Sequence, residues 1–162
     1  MKKLLLRITV ISLAALALLL AWGVYSARPP TDRQLLQQFA SHQAEMEQLR
    51  EMFVADSRLK RVTKTFAQDD HFERVNLPDD RFAQYKHLLS AAGLLGLNRT
   101  DDCIYFSAFR WGFAGSGTAK GFAYCTAAPK SVLSSLDGKS TERRSQHYFK
   151  PIRDGWYLLF VS

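Results

Sequence analysis

The sequence predicts an α+β fold: two or three N-terminal helices packed on one face of an antiparallel sheet of about four strands, preceded by one transmembrane helix. Three observations lead there. An apolar run opens the chain, apolar residues recur at three- and four-residue steps between Thr31 and Ala92, and from Cys103 onward the chain turns to aromatic and β-favouring residues separated by Gly-containing turns. Helices first and hairpins afterwards is the α+β pattern.

With 162 residues, 47% of them apolar and 12% aromatic, the chain can enclose one hydrophobic core and falls outside the disordered class. Of its 22 basic residues, Lys2, Lys3 and Arg7 belong to the N-terminal segment, leaving 19 against 15 acidic ones. That surplus is small and scattered, with Arg58, Lys60, Arg61 and Lys64 as the one dense group. The pattern argues against nucleic acid as a partner, which calls for a clustered basic face.

Met1-Lys2-Lys3 supplies a basic start, and Leu4 to Tyr25 is interrupted only by Arg7, Thr9 and Ser12. At about 1.5 Å per residue this run is long enough to cross a hydrocarbon core of about 30 Å, and Trp22 and Tyr25 sit where interfacial aromatics belong. The best small-residue site for cleavage is Ala21-Trp22-Gly23, while Tyr25-Ser26-Ala27 puts a bulky aromatic where a small side chain is wanted. The balance favours an uncleaved anchor over a removed signal. The expectation is therefore a segment 1–27 that serves as membrane anchor or signal, followed by a single extracytoplasmic domain over 28–162. By the positive-inside rule the N-terminus stays inside, which places the domain in the periplasm or at the cell exterior, on a single-pass inner-membrane protein. No lipidation cysteine follows the run.

Pro29-Pro30 separates this segment from a helix starting at Thr31, whose spacing to Gln34 matches a capping box. Leu35, Leu36, Phe39, His42, Met46, Leu49, Met52 and Phe53 form one core-facing stripe, in which His42 reads as a hydrogen-bonded core residue. Asp56-Ser57 ends that helix. Arg58 to Phe66 suits either a short helix or, through Val62, Thr63 and Thr65, a strand. Pro78-Asp79-Asp80 opens another helix through Phe82, Tyr85, Leu88, Leu89 and Ala92, closed by Gly93, with the two aspartates complementing the helix dipole. Leu94 to Leu97 packs back onto the core.

Cys103 to Phe113 and Thr118 to Thr126 form a hairpin around Ala114-Gly115-Ser116-Gly117. Gln146 to Ile152 and Trp156 to Val161 form a second one through Arg153-Asp154-Gly155, an Asp-Gly turn signal. Between them, Ser131 to Gly138 reads as a short structural helix or turn. A turn centred near residue 114 or 115 sets Cys103 opposite Cys125, and on the exported side of a membrane the two thiols are expected to form a disulfide. The same register puts Ile104, Phe106, Phe122 and Tyr124 on one face as core. Tyr105, Phe109 and Trp111 then project from the other, beside the small residues Ala123, Gly121 and Ala119. Arg110, Trp111 and Lys120 add a cationic and aromatic corner suited to an anionic ligand, so the candidate binding surface is Tyr105, Phe109, Arg110, Trp111 and Lys120.

Other motifs read as structure. Gly115-Ser116-Gly117 lacks the helix that a phosphate loop or nucleophile elbow requires. Asp69-Asp70-His71 is a solvated loop rather than a metal site, the cysteines have no Cys-x-x-Cys spacing, and no cofactor is expected. Gly121-Phe-Ala-Tyr124, Ser135-Leu-Asp-Gly138 and the ending Tyr148-Phe-Lys-Pro-Ile-Arg-Asp-Gly-Trp-Tyr-Leu resemble a group of small bacterial envelope proteins and lipoproteins of uncharacterised function, a likeness that implies an envelope location over residues 31 to 162. The expected function is a noncatalytic envelope interaction module with a protein partner, of the accessory or immunity type. The alternative is an envelope hydrolase acting on cell-wall material, which would need His71 or His147 gathered with carboxylates in a cleft.

Overall fold

The computed structural model describes residues 28–100, 102–111, 117–138 and 146–162. The expected anchor over 1–27 lies outside them, and among the described residues no helix is long and apolar enough to cross a membrane.

Helix α1 spans Asp32–Ser41 and begins with the expected capping box: the Thr31 hydroxyl accepts from the Gln34 N–H at 3.3 Å and the Gln34 amide oxygen accepts from the Thr31 N–H at 2.8 Å. The single apolar stripe proves to be two helices. His42, at φ −129° and ψ 28°, breaks the chain before α2 resumes over Gln43–Ala55. A one-residue break leaves the apolar spacing intact, so the sequence pattern carries no trace of it, and Leu35, Phe39, Met46, Leu49 and Phe53 are all buried across the kink. His42 itself stands half-exposed beside Glu45 at 3.9 Å instead of in the core. Helix α3 covers Asp79–Ala91, and the chain leaves it through Gly93 at φ 66°, a left-handed position that glycine adopts without strain. The Asp56 carboxylate, just past α2, accepts from Arg81 at 2.9 Å and from the Tyr85 hydroxyl at 2.7 Å, which locks α2 to α3.

The sheet has seven strands where about four were expected. They are β1 (Arg61–Thr63), β2 (Ala67–Gln68), β3 (Gly96–Arg99), β4 (Cys103–Trp111), β5 (Thr118–Cys125), β6 (His147–Arg153) and β7 (Trp156–Val161), in the antiparallel order β2-β1-β3-β4-β5-β7-β6. The three additional strands are two to four residues long, and β1 resolves the open Arg58–Phe66 segment as a strand. Such lengths are too short for a period-two pattern to register. Both expected hairpins are present, and Asp154-Gly155 turns the second with φ 33° and 80°. Ser131 to Gly138 is irregular, with Val132 bridging to Phe149 of β6 and Leu136 buried.

The two faces of the sheet have different cover. Ile104, Phe106, Phe122, Trp156, Leu158 and Phe160 join the buried residues of all three helices in the main core, with Tyr124 packed at its margin. The Trp156 ring lies 5.1 Å from Phe39 and 4.9 Å from Phe106, and its indole N–H donates to Glu47 at 2.9 Å. On the outer face Cys103, Tyr105, Ala123, Cys125, Phe149 and Leu159 form a second, smaller cluster to which no helical residue contributes. Strand β7 reads as a continuous apolar run because both of its faces are buried.

Inside the main core lies a charged knot. Asp32 and Lys120 are each 3% exposed. Lys120 Nζ stands 2.9 Å from Asp32 Oδ1 and donates to Asp137 at 2.8 Å, while Asp32 Oδ2 accepts from Leu136 N–H at 2.9 Å, Lys150 at 3.1 Å and Ser135 Oγ at 3.2 Å. Burial pushes the Asp32 carboxyl pKa up. The hydrogen bonds from Leu136, Lys120 and Lys150, with the Lys120 charge, outweigh it and hold the group well below the usual carboxylate range.

The Cys103–Cys125 bond closes a separation of 22 residues at the open end of the β4–β5 hairpin. The double replacement C103A/C125A should lower stability by about 3 kcal/mol, measured by urea denaturation. Replacing Asp32 by Ala leaves the buried Lys120 with Asp137 alone and should cost about 3 kcal/mol in the same assay. Because the folded Asp32 pKa lies below the unfolded value of about 3.9, its contribution is complete above that pH and fades as pH falls further. The stability gap between wild type and D32N should therefore narrow as the medium is acidified below about pH 4.

Candidate functional site

The outer face is built by register. Arg61, Asn98, Tyr105, Ala123 and Tyr157 form one row across the strands, and Thr63, Gly96, Ser107, Gly121, Leu159 and Phe149 form the next. Two glycines in the second row permit close approach of the strands. A Cβ at Gly96 would lie 2.5 Å from the Val62 carbonyl oxygen, and one at Gly121 would collide with the Phe106 carbonyl oxygen. At Gly121 strand β4 also slips its register between Ser107 and Phe109, a β-bulge.

That bulge rearranges the sequence-predicted surface. Before it, Tyr105 faces outward as expected, opposite Ala123. After it, Phe109 pairs with Lys120 and Trp111 with Thr118, on the helix-covered side, and Arg110 pairs with Ala119 on the outer side. Of the five residues, only Tyr105 and Arg110 share the outer face. Trp111 is 60% exposed at the end of its strand. Lys120 is the buried partner of Asp32, and its alternation with Phe122 and Tyr124 is the signal in the sequence that marks it as inward.

Tyr105 forms the floor of a groove of about 290 Å³ whose walls include Thr100, Asp102, Cys103, Pro129, Lys130, His147 and Phe149. Residues 131–133 form a strap along β6, because the Phe149 N–H donates to the Ser131 carbonyl at 2.9 Å and the Leu133 N–H to the Phe149 carbonyl at 2.7 Å. The Tyr105 hydroxyl meets His147 Nδ1 at 3.2 Å, with the rings edge to face at 5.4 Å. Burial raises the Tyr105 pKa, aided by the charge of Asp102 and opposed by a hydrogen bond with Thr100. Burial lowers that of His147. Both groups are therefore neutral near pH 7, a polar pair set in an aromatic wall. His71 lies in the exposed loop after β2, at the opposite edge of the sheet from His147 on β6, so the two histidines do not converge. Among the described residues no group of three or more His, Cys, Asp or Glu side chains is placed to hold a metal ion.

Arg61, on β1 in the row of Tyr105, and Arg110, on β4 past the bulge, also face outward. Arg61 lies over the Phe66 ring at 5.4 Å. Arg110 is exposed, yet neighbouring atoms strip part of its hydration, and that desolvation together with the Arg61 charge pulls its pKa down. Arg61 belongs to the segment that the sequence left open between helix and strand, so its approach to Arg110 was not foreseen.

No protein-family model, curated protein sequence or solved structure matches the chain.

The groove histidine offers a direct test. A folded-state pKa below the unfolded value of about 6.5 means that stability is fully present above that pH and is lost as pH falls through the folded value. Side-chain NMR titration should place His147 below the ordinary histidine value of about 6.5, and H147Q should remove the part of the pH dependence of unfolding that lies just below that pH.

Proposed function

We propose that this chain is a noncatalytic interaction module, held at the outer side of an inner membrane by its N-terminal apolar segment, whose outer sheet face binds a polypeptide partner. The observation that carries the reading is that this face bears its own aromatic cluster and a groove, while every described helix packs on the opposite side. Tyr and Arg, the residue types that dominate binding hot spots, stand together there. The apolar start of the chain, the disulfide and the likeness to small envelope proteins support an extracytoplasmic setting. An accessory or immunity-type role fits a small domain of this kind.

The hydrolase alternative draws on Asp102, Tyr105 and His147, which line one groove. Crosslinking the tagged full chain in intact membranes separates the two. Under the binding reading one stoichiometric partner is recovered, the crosslinks map to the outer face, Y105A reduces recovery at least tenfold, and H147Q retains cellular function. Loss of function in H147Q with normal partner recovery and turnover of cell-wall fragments by the wild type alone would instead establish the enzyme.

A further inference from the structure

We infer that the end of the sheet carrying Trp111 rests on the lipid surface, with the Trp111 indole at the headgroup layer and Arg110 and Lys64 against anionic lipid phosphates. This rests on the membrane-anchor reading and does not depend on what the outer face binds. The register fixes which groups share that end. Strand β4 finishes there at Trp111, paired with Thr118 at the start of β5. Strand β3 begins there, with the Leu95 N–H just before it donating to the Ser107 carbonyl at 2.7 Å. Strand β1 finishes there, with Thr63 paired to Gly96 and Lys64 next in the chain. Lys120, two residues beyond Thr118, holds the first turn of α1 through Asp32 at 2.9 Å. From Asp32 the helix runs away from this end and brings Phe39 to 5.1 Å from Trp156, which pairs with Tyr124 near the far end of β5. The chain therefore enters the domain at the end where Trp111 stands.

What precedes Asp32 decides what lies beyond that end. The apolar run closes at Tyr25, and the stretch from there to Asp32 reaches at most about 25 Å when fully extended. An anchored chain thus holds this end of the sheet next to the bilayer surface. Its side chains suit that position. Trp111 is 60% and Leu95 45% exposed, two of the five large apolar side chains that stand open among the described residues. Tryptophan joins an apolar body to an indole N–H and concentrates at the headgroup level for that reason. Arg110, Lys64 and Arg28 are exposed and match the negative potential of an anionic leaflet. Asp32 and Asp137, on the same end, are neutralised by Lys120 and Lys150 and do not oppose that attraction. With its strands end-on to the membrane, the sheet keeps its outer face open to the side. Phe72, also exposed, lies in the loop that follows β2 toward the opposite end and serves as the internal comparison.

The test reconstitutes the full chain in phosphatidylglycerol/phosphatidylcholine vesicles whose lipids carry bromine at a shallow acyl position. Trp111 emission is the difference between W22F and W22F/W111F, both of which retain the buried Trp156 as a report on folding. Brominated lipid should quench about half of the Trp111 emission, and acrylamide in the water phase should quench it about threefold less than a free tryptophan amide. Adding K64Q and R110Q should weaken the lipid quenching about twofold in phosphatidylglycerol-rich vesicles and leave it unchanged in pure phosphatidylcholine. Equal loss in both lipids would overturn the role given to these charges. Emission from F72W in the W22F/W111F background should respond to acrylamide and not to brominated lipid. Quenching of F72W by lipid as strong as that of Trp111 would show a domain without a preferred seat and overturn the inference. Trp111 shielded from both quenchers would mean a protein cover, a second copy included, and would overturn it equally. A chain that stays in the vesicles through an alkaline carbonate wash, with Trp111 open to acrylamide and untouched by bromine, sinks this inference alone. Release of the chain by that wash sinks the anchor reading and the inference with it.

Discussion

A carboxylate and an ammonium group buried against each other at the first turn of α1 constrain more of this fold than any apolar contact does. Asp32 belongs to α1, Lys120 to the central strand β5, Lys150 to the edge strand β6, and Ser135, Leu136 and Asp137 to the irregular segment between the hairpins. Four parts of the chain that share no regular secondary structure meet at one oxygen pair. Two opposing effects act on Asp32: burial penalises its charge, and the donors around it favour that charge more strongly. Those donors come from helix, sheet and segment 135–137, so all three support the buried charge. An apolar cluster tolerates small shifts of its members, whereas hydrogen bonds near 2.9 Å do not. The knot therefore also sets where α1 crosses the sheet, with Phe39 over Phe122 and Trp156.

The sheet is divided as strictly as the helices are placed. One face is sealed by the helices and carries the large core residues. The other is thinned by glycine and alanine and carries aromatics at its margins, with a disulfide between paired residues of β4 and β5. The β-bulge at Ser107–Phe109 is the hinge of this division, because it returns Phe109 and Trp111 to the helix side and sends Arg110 out. Edge strand β6 is blunted against further pairing. Its Phe149 is already bonded to the strap, and Pro151 has no N–H to offer. Strand addition at that edge is therefore disfavoured.

The fold thus uses its charges in two ways. Lys120 is enclosed with its counterions and serves the architecture. Arg110 lies exposed on the outer face, and Arg61 stacks on the Phe66 ring. Between them and the strap, the neutral Tyr105–His147 pair adds directional hydrogen bonding without net charge.

By itself the sequence determined whatever local chemistry governs. The capping box at Thr31–Gln34, the left-handed exit at Gly93, the Asp154-Gly155 turn and the opposition of Cys103 and Cys125 each depend on a few neighbouring residues or on one hairpin. The α+β class followed from the change of period near Cys103. Only the tertiary structure decided the three short strands, since two to four residues hold no periodicity and are strands by virtue of their neighbours. It also decided which face Phe109, Arg110 and Trp111 occupy, because one inserted residue at a bulge reverses every side chain beyond it and leaves no mark in the alternation. The meeting of Asp32 with Lys120 across 88 positions of chain arises from how helix and sheet pack, a long-range property that no local pattern encodes.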